Sequence, residues 1–156
     1  MFLFRESVVI SAPEIREYKF LAKVPKIFNF EAFGSAEEGF LISTQAARQL
    51  PFPVKRVFWL HQVPVGYTRG HHAHHTTEEV LIALQGSITV NTETHAGKQV
   101  FTLDYPVKAL YLPAKCWVTF TFSPGALLLC LTSTDYDPAD YIRDYDLFQS
   151  LVRQPG

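Results

Sequence analysis

Residues 66–86, with the sequence GYTRGHHAHHTTEEVLIALQG, contain the pattern that decides the fold expected for this 156-residue chain. Five residues separate Gly66 from His72, and one residue separates His72 from His74. Four further residues lead to Glu79. Two imidazoles followed closely by a carboxylate are side chains that can bind a metal ion or transfer protons near neutral pH.

The directions in which the clustered histidines point follow from β-strand geometry. Side chains two residues apart on a strand face the same way, so His72 and His74 share one face. By the same rule, His71 and His75 share the other face. We expect one pair to face the protein interior and a ligand, and the other pair to face solvent or a partner subunit.

Three interpretations of the cluster are open at this point. In the first, the histidines lie by accident on a surface loop. In the second, His72, His74 and Glu79 bind a metal ion together with a fourth ligand. In the third, the two imidazoles act without a metal, one as a general acid and the other as a general base.

Most of the chain after its first 25 residues consists of short segments rich in β-branched and aromatic residues, separated by turn signals. This pattern predicts an all-β barrel or jelly roll. Residues 44–50 predict a short helix, and apolar residues at helical spacing predict a single C-terminal helix over 137–152. The predicted strands cover residues 7–11, 27–33, 39–43, 54–63, 80–84, 87–92, 99–103, 109–112, 117–122 and 126–132.

Composition limits the possible classes of function. The net charge of −1 and the scattered Lys and Arg residues argue against a nucleic-acid partner. The N-terminus carries charges and no sustained apolar run, so it predicts neither a signal peptide nor a membrane span. Cys116 and Cys130 lie in apolar segments and are expected to be buried free thiols, as in a reducing cytosol. We therefore expect a cytoplasmic protein that does not contact a membrane.

The spacing of residues 66–86 resembles the first sequence motif of the cupin β-barrels, which implies that His72 and His74 are the pair facing the barrel interior. The second cupin motif normally donates the last metal-binding histidine. Its proline matches Pro113 here, but Lys115 stands at a glycine position and Val118 at the histidine position. Valine cannot bind a metal, and a nearby ammonium disfavours a cation. This departure favours the metal-free interpretation.

A closer resemblance rests on three blocks in the same order. RGHHAHHTTEEVLIALQGSITV at 69–90 resembles the Arg-Gly-x-His-Ala-His signature of the metal-free cupins that act as sugar-nucleotide 3,4-ketoisomerases. VKRVFWL at 54–60 is similar to the strand before that signature, and STDYDPADYIRDYDLF at 133–148 is similar to the C-terminal segment of the family. The resemblance covers residues 26–148.

The resemblance implies an isomerase without a cofactor that converts a dTDP-4-keto-6-deoxyhexose to the 3-keto sugar through an enediol(ate), in deoxyamino-sugar biosynthesis. The signature histidines are the acid/base catalysts of that family and match His72 and His74. We expect His74 to remove the proton from C3 and His72 to shuttle or donate a proton, with the reverse order open.

Several other side chains are candidates for substrate binding. A guanidinium matches phosphate oxygens, which favours Arg69 and Arg56 as ligands of the diphosphate. Glu79 stands where the family usually has glutamine, and is expected to hydrogen-bond the substrate or to restore some metal affinity. The aromatic candidates for stacking on thymine or for a hydroxyl contact with the sugar are Tyr67, Tyr111, Trp117 and Tyr136.

The resemblance also implies a homodimer in which N-terminal strands are exchanged. We expect residues 1–25 to be an N-terminal extension that contains such a strand, and residues 26–152 to be a single cupin domain. Two other functions are open: a metal-dependent cupin enzyme, such as an oxygenase or isomerase, and a non-catalytic cupin that binds a nucleotide sugar.

Overall fold

The structure, a computed structural model, describes residues 24–45 and 49–153. Its strands form two five-stranded sheets and a separate two-stranded hairpin. The α-helix of the described residues, α1, covers Tyr145–Arg153. The strands are β1 (Lys26–Asn29), β2 (Ala32–Ser35), β3 (Gly39–Ile42), β4 (Arg56–His61), β5 (Thr68–His74), β6 (Glu79–Gln85), β7 (Ile88–Thr94), β8 (Gly97–Leu103), β9 (Lys108–Leu112), β10 (Trp117–Phe122), β11 (Leu127–Thr132) and β12 (Tyr141–Ile142).

The order of the strands explains how distant parts of the sequence meet. The first sheet has the order β1-β9-β6-β11-β4, and the second has the order β12-β5-β10-β7-β8. Successive strands such as β4, β5 and β6 alternate between the two sheets, which is the connectivity of a jelly roll. The predicted all-β jelly roll with a short C-terminal helix is therefore confirmed.

The main apolar core lies between the two sheets. Leu81 of β6 and Leu128 of β11 enter it from the first sheet, and Val90 of β7 and Phe120 of β10 enter it from the second. Burial of these side chains is the principal driving force that holds the two sheets together.

Strand β6 is buried on both faces, as its continuous apolar run predicts. Leu81 and Ala83 point into the main core. Val80 and Ile82 point the other way, into a second cluster that contains Phe30 and Tyr111. A strand in this position lies in the middle of its sheet, and it begins at a residue of the candidate site, Glu79.

The C-terminal segment differs from the single helix expected over residues 137–152. Asp137 caps a short 3₁₀ turn over Pro138–Asp140, and the chain then forms β12 before α1 begins at Tyr145. The apolar residues recur at helical spacing, but Ile142 pairs with Ala73 of β5 as an edge strand. This pairing interrupts the helix and brings the segment against the histidine-bearing strand.

Three further expectations are modified or lie wholly or partly outside the described residues. The strand expected over 27–33 is divided, because β1 ends at Asn29 and the N–H of Phe30 donates to the carbonyl of Val107 instead. The strand expected over 7–11 lies outside the described residues. The helix expected over 44–50 lies partly outside them.

A β-bulge at His71 changes the alternation along β5. Val118 of β10 lies opposite His72, and the next residue, Thr119, lies opposite Gly70, so His71 is the extra residue. Gly70 has a φ of +89°, and a Cβ there would lie 2.7 Å from the carbonyl oxygen of Val118. Only glycine fits this close approach without strain.

The described residues include no helix that is both long enough and apolar enough to cross a lipid bilayer.

Candidate active site

A cavity of about 380 Å³ opens between the two sheets at the histidine-bearing strand. The second sheet contributes residues of β5, and the first sheet contributes residues of β4, β6 and β11. The lining residues used below are Tyr67, Arg69, His71, His72, Glu79, Cys130, Tyr141 and Arg143.

The two signature histidines lie side by side but at different depths. The rings of His72 and His74 pack edge to face with their centroids 5.0 Å apart, so they share one face of β5 as predicted. His72 is half-buried and lines the cavity, whereas His74 is buried behind it. His75 is exposed, as expected for the opposite face.

His71 lies elsewhere than strand alternation predicts. The bulge displaces it from the pattern, and its exposed ring lines the cavity beside His72. Its Nε2 lies 2.7 Å from the hydroxyl of Thr68. The expectation that His71 shares the outer face with His75 is therefore corrected, because one extra residue in a strand shifts the alternation that follows from the pleat.

Asp140 is the nearest partner of His74 and comes from the other end of the chain. Its Oδ2 lies 3.0 Å from Nδ1 of His74. The N–H and hydroxyl groups of Thr76 donate to Oδ1, and those of Thr77 donate to Oδ2. Burial acts to raise the pKa of Asp140, but these hydrogen bonds outweigh it and bring the pKa to about 2.

The second nitrogen of the His74 ring is buried without a hydrogen-bond partner among the described residues. The closest carboxylate oxygen, Oε1 of Glu79, lies 3.7 Å from this Nε2, which is too long for a hydrogen bond. A buried polar atom without a partner is uncommon, and an active-site group that awaits a substrate is one reason for it.

Tyr141 holds the two imidazoles in place from the side of β12. The centroid of its ring lies 5.0 Å from that of His72 and 4.4 Å from that of His74. The guanidinium of Arg143 lies over the same tyrosine ring, 4.4 Å from its centroid. The rings of His72, His74 and Tyr141 and the Arg143 cation therefore form a packed group beside the cavity.

Both histidines are neutral at neutral pH because the site is desolvated. Burial lowers the pKa of His72, and the positive charge of Arg143 acts in the same direction. Burial also lowers the pKa of His74, to about 4, and repulsion from His72 adds to this effect although Asp140 opposes it. Neutral imidazoles can accept protons, which suits them to act as bases.

Glu79 is the one acidic side chain among the lining residues. Burial raises its pKa to about 7, against the influence of Arg56 and with a further contribution from Asp140. A carboxyl group with this pKa is partly protonated at neutral pH, and can then donate a hydrogen bond as well as accept one.

Besides Glu79, four of the predicted substrate-binding residues lie in or beside the cavity. Tyr67 and Arg69 line it and are exposed. Arg56 points inward from β4, with its guanidinium 5.0 Å from the centroid of the Phe58 ring and 5.4 Å from that of the Tyr136 ring. The Tyr136 ring in turn lies 5.8 Å from that of Tyr141, measured between centroids.

The structure does not bring the other two aromatic candidates to the cavity. Trp117 packs against α1, with its ring 5.1 Å from Tyr145 and 5.4 Å from Phe148 between centroids. Tyr111 is buried in the outer cluster, and its hydroxyl donates to Glu78. Alternation along their strands turns both rings away from the space between the sheets, which corrects the expectation that they contact the substrate.

The position that carries a histidine in metal-binding cupins is close to the site. Val118 is buried and lies opposite His72 across the β5–β10 pair. In the described residues, no three His, Cys, Asp or Glu side chains are arranged so that they could hold a metal ion together.

Sequence reasoning missed Asp140, Arg143 and the two threonines that hold Asp140. Asp140 is 66 residues from His74, which hides it and Arg143 from any local pattern. Thr76 and Thr77 lie close to the histidines in sequence, but their role is recognisable only through their hydrogen bonds to Asp140. The one available signal was the Asp-Tyr-Ile-Arg sequence at 140–143, which belongs to the C-terminal block of the resemblance.

Comparisons with known proteins agree with this geometry. The chain is 34% identical over 128 residues to the TDP-4-oxo-6-deoxy-alpha-D-glucose-3,4-oxoisomerase of Aneurinibacillus thermoaerophilus, a match that covers 81% of this chain and 91% of the relative. Similar solved structures include the sugar 3,4-ketoisomerase QdtA of Thermoanaerobacterium thermosaccharolyticum in complex with TDP. That match has 28% identity and a TM-score of 0.80, and covers 85% of this chain and 97% of QdtA.

A third relative is named for a different sugar. The TDP-quinovose 3,4-ketoisomerase WlaRB of Campylobacter jejuni is 35% identical, with a TM-score of 0.77, and the match covers 83% of this chain and 99% of WlaRB. The family described as "FdtA: WxcM-like, C-terminal" matches residues 23–153. Since that match covers most of the chain, including both histidines and Asp140, this protein belongs to the FdtA family, and it is similar to sugar-nucleotide 3,4-ketoisomerases.

Proposed function

We propose that this protein is a TDP-sugar 3,4-ketoisomerase that converts TDP-4-keto-6-deoxyglucose to the 3-keto isomer. The observation that carries the proposal is the pair of neutral imidazoles, 5.0 Å apart, of which His72 lines a cavity between the sheets and His74 is buried behind it. The relatives described above carry this activity in their names, at up to 35% identity.

The reaction moves a ketone by one carbon and needs two kinds of proton transfer. The C4 ketone acidifies the proton on C3, and its removal gives an enediolate across C3 and C4. The proton on the C3 oxygen then passes to the C4 oxygen. Return of a proton to C4 leaves the ketone at C3, so that no atom, electron pair or redox cofactor is gained or lost.

We assign the carbon-to-carbon proton transfer to His72. This order, the reverse of the one favoured by sequence, is supported by the position of His72 on the cavity wall and by its lowered pKa. The ring is neutral before it accepts the proton from C3, and the imidazolium then donates a proton to C4. General acid/base catalysis of this kind contributes about 10²–10⁴-fold to the rate.

We assign the oxygen-to-oxygen proton transfer to His74. Its Nε2 has no partner among the described residues, and the substrate oxygens would supply one. The ring would accept the hydroxyl proton from the C3 oxygen and return it to the C4 oxygen. The charge of the transient imidazolium would be balanced by Asp140, whose Oδ2 lies 3.0 Å from Nδ1.

Recognition of the nucleotide would depend on the residues around the cavity mouth. Arg69 and Arg143 line the cavity and carry the positive charge that a diphosphate requires. Tyr67 is exposed at the same opening and offers a ring on which thymine can stack. Arg56 lies next to the cavity beside Tyr136 and would contact the sugar or its oxygens.

We further propose that the enzyme works without a metal or other cofactor. The assigned steps need only proton transfers, which two imidazoles can perform. Val118 offers no ligand beside His72, and Nδ1 of His74 is already bound by Asp140. Measurement of iron, manganese, nickel and zinc in purified active protein tests this point, since a stoichiometric metal with activity lost to a chelator would contradict it.

A homodimer in the cytoplasm completes the proposal. Val57 and Trp59 on the outer face of edge strand β4 are 48% and 60% exposed, and Leu84 nearby is 43% exposed. An apolar surface of this kind is typical of an interface.

The cysteines are consistent with a cytoplasmic location. Cys116 and Cys130 are buried free thiols, as a reducing compartment allows. Sedimentation of the full chain and cell fractionation test these two predictions.

The decisive experiment incubates the purified protein with TDP-4-keto-6-deoxyglucose in D₂O and follows the sugar by proton NMR. We expect deuterium to enter at C3 and C4 and the 3-keto sugar to accumulate. Binding of the nucleotide sugar with no exchange at either carbon and no formation of the 3-keto sugar would contradict the proposal and favour a non-catalytic binding protein.

A further inference from the structure

We propose that Asp140 is a positioning residue that selects one tautomer of His74, with the proton on Nδ1 and the lone pair of Nε2 directed at the substrate. This inference rests on the proposed isomerase function. The carboxylate of Asp140 contacts Nδ1 of His74 and not the unpartnered Nε2, so it would act through the ring rather than on the sugar itself.

The carboxylate of Asp140 is held in a fixed orientation by four donors. Oδ1 accepts from the N–H and the hydroxyl of Thr76, at 2.8 and 2.7 Å. Oδ2 accepts from the N–H and the hydroxyl of Thr77, at 3.1 and 2.5 Å. The carboxylate therefore cannot rotate without breaking several of these hydrogen bonds.

The same four donors favour the ionised form of Asp140. Protonation would remove the negative charge that strengthens the hydrogen bonds from Thr76 and Thr77, so these bonds stabilise the carboxylate, which only accepts. Its pKa of about 2 agrees with this, the hydrogen bonds outweighing the effect of burial. Because an ionised carboxylate can only accept, the bond to His74 needs a hydrogen on Nδ1.

The tautomer at Nδ1 determines what Nε2 can do. In a neutral imidazole one nitrogen carries the hydrogen and the other is an acceptor. With the hydrogen fixed on Nδ1, the buried Nε2 keeps its lone pair and can take a hydroxyl proton from the substrate. The opposite tautomer would present an N–H there and could not begin the transfer.

Backbone pairing fixes Asp140 relative to β5. The N–H of His75 donates to the backbone carbonyl of Asp140 at 2.8 Å, and the next residue, Tyr141, pairs directly with His74. The preceding 3₁₀ turn is capped by Asp137, whose Oδ1 accepts from the N–H of Ala139. The segment that interrupts the expected helix therefore places the carboxylate of Asp140 beside Nδ1 of the buried His74 ring.

The first test reads the tautomer directly and does not depend on activity. In protein labelled with ¹⁵N at histidine, we expect the resonances of His74 near neutral pH to be those of the Nδ1–H tautomer. In Asp140→Asn, the amide replaces one acceptor oxygen by a donor, and we expect the Nε2–H tautomer to become substantially populated. An unchanged Nδ1–H tautomer in this variant would overturn the proposal.

The second test separates the two proton transfers. We expect Asp140→Asn to lower kcat for the 3-keto product by about 100-fold or more, within the range of general acid/base effects. Exchange of the C3 proton with solvent, which is assigned to His72, should persist, and KM should change by less than about threefold. Loss of exchange in proportion to turnover would show that Asp140 has only a structural role.

Asp137→Asn is the matched control. It makes the same chemical change three residues earlier, at an exposed side chain that contacts Ala139 and not His74. Asparagine is an equally good cap, so we expect activity within about twofold of the wild type. An equal loss in both variants would assign the effect to the turn and overturn the proposal.

A further variant addresses folding. If Asp140→Asn does not fold, Thr77→Val removes one donor from Oδ2 and leaves the carboxylate in place. We then expect a smaller fall in kcat, about three- to tenfold, with C3 exchange retained.

Failure of the proposed function and failure of this inference give different results. Wild-type protein that binds the nucleotide sugar without isomerising it would contradict the proposed function. An unchanged tautomer of His74 in active variants would contradict this inference alone.

Discussion

The imidazole of His72 lines the cavity, and the imidazole of His74 lies behind it with its ring centroid 5.0 Å away. The two side chains are neighbours on one face of β5, yet their surroundings differ. His72 is open to the cavity and near Arg143, while His74 is buried against Asp140 and Glu79. This difference is the basis on which we propose that His72 acts on carbon and His74 on oxygen.

Replacement of His72 should remove exchange of the C3 proton. In His72→Asn the base assigned to the C3 proton is lost, so we expect both deuterium incorporation at C3 and product formation to fall by about 10²–10⁴-fold. Proton NMR in D₂O measures both rates in one sample.

The control for this variant is His75→Asn. The side chain of His75 is exposed on the other face of the strand, so exchange and turnover should stay close to wild type. Exchange at C3 that survives in His72→Asn would show that another residue is the base.

Replacement of His74 should uncouple exchange from turnover. In His74→Asn, His72 can still remove the C3 proton, but no imidazole passes the hydroxyl proton to the C4 oxygen. We expect deuterium to enter at C3 while the 3-keto product forms at least about 100-fold more slowly. If exchange and turnover both stop, the roles of the two histidines are the reverse of those assigned here.

The pH profile should retain activity in mildly acidic solution. A histidine that acts as a base must be neutral, and burial lowers the pKa of His72 below 6.5 and that of His74 to about 4. We therefore expect kcat/KM to fall only as the pH drops below 6.5, toward 4. An acid limb at or above the ordinary histidine pKa would contradict the desolvation of this site.

Glu79 should make stability depend on pH. Its pKa is 4.5 when unperturbed and about 7 in the folded protein, so between these values the folded state binds more protons than the unfolded state. The free energy of unfolding of the wild type should therefore decrease as pH rises through this window, relative to Glu79→Gln. From pH 4.5 to pH 7, we expect the free energy of unfolding of the variant to rise by about 3 kcal/mol relative to that of the wild type.

Chemical denaturation of both proteins at several pH values measures this difference. His74 acts in the opposite direction over part of the window, but it is present in both proteins and cancels. A difference that stays constant with pH would show that Glu79 ionises normally.

Gly70 should be required for the bulge that places His71 and His72. An alanine there would have a strained φ of +89° and a Cβ 2.7 Å from the carbonyl oxygen of Val118. We expect Gly70→Ala to lower the free energy of unfolding by about 2 kcal/mol or more. Gly97→Ala is the control. Gly97 has a φ of +108°, but no atom lies within 4 Å of an added Cβ, so this substitution should lower the free energy of unfolding by a smaller amount.

Local patterns in the sequence predicted most of the strands. β10 has the predicted bounds, and β6 was recognised from its continuous apolar run. The errors lie where tertiary pairing prevails over periodicity. Residues 141–142 fit a helical repeat but form an edge strand, because pairing with β5 satisfies their backbone groups and buries Ile142.

The side chains predicted for the site divide in the same way. His72, His74 and Glu79 belong to one continuous stretch, so spacing alone identifies them. The positions of Trp117 and Tyr111 could not be judged, because the face to which an aromatic side chain points depends on the register of its strand. Arg56 and Arg69 were recognised by their charge, and the structure places Arg69 in the cavity lining and Arg56 against the rings of Phe58 and Tyr136.

The sequence by itself determined the all-β jelly roll and the pair of imidazoles, since both depend on residues close together in the chain. Only the tertiary structure decided that His72 meets the cavity, that His74 is buried, and that Asp140 lies 3.0 Å from His74. The reason is physical: burial and hydrogen bonding set the protonation of an imidazole, and both come from strands that meet only when the two sheets pack together.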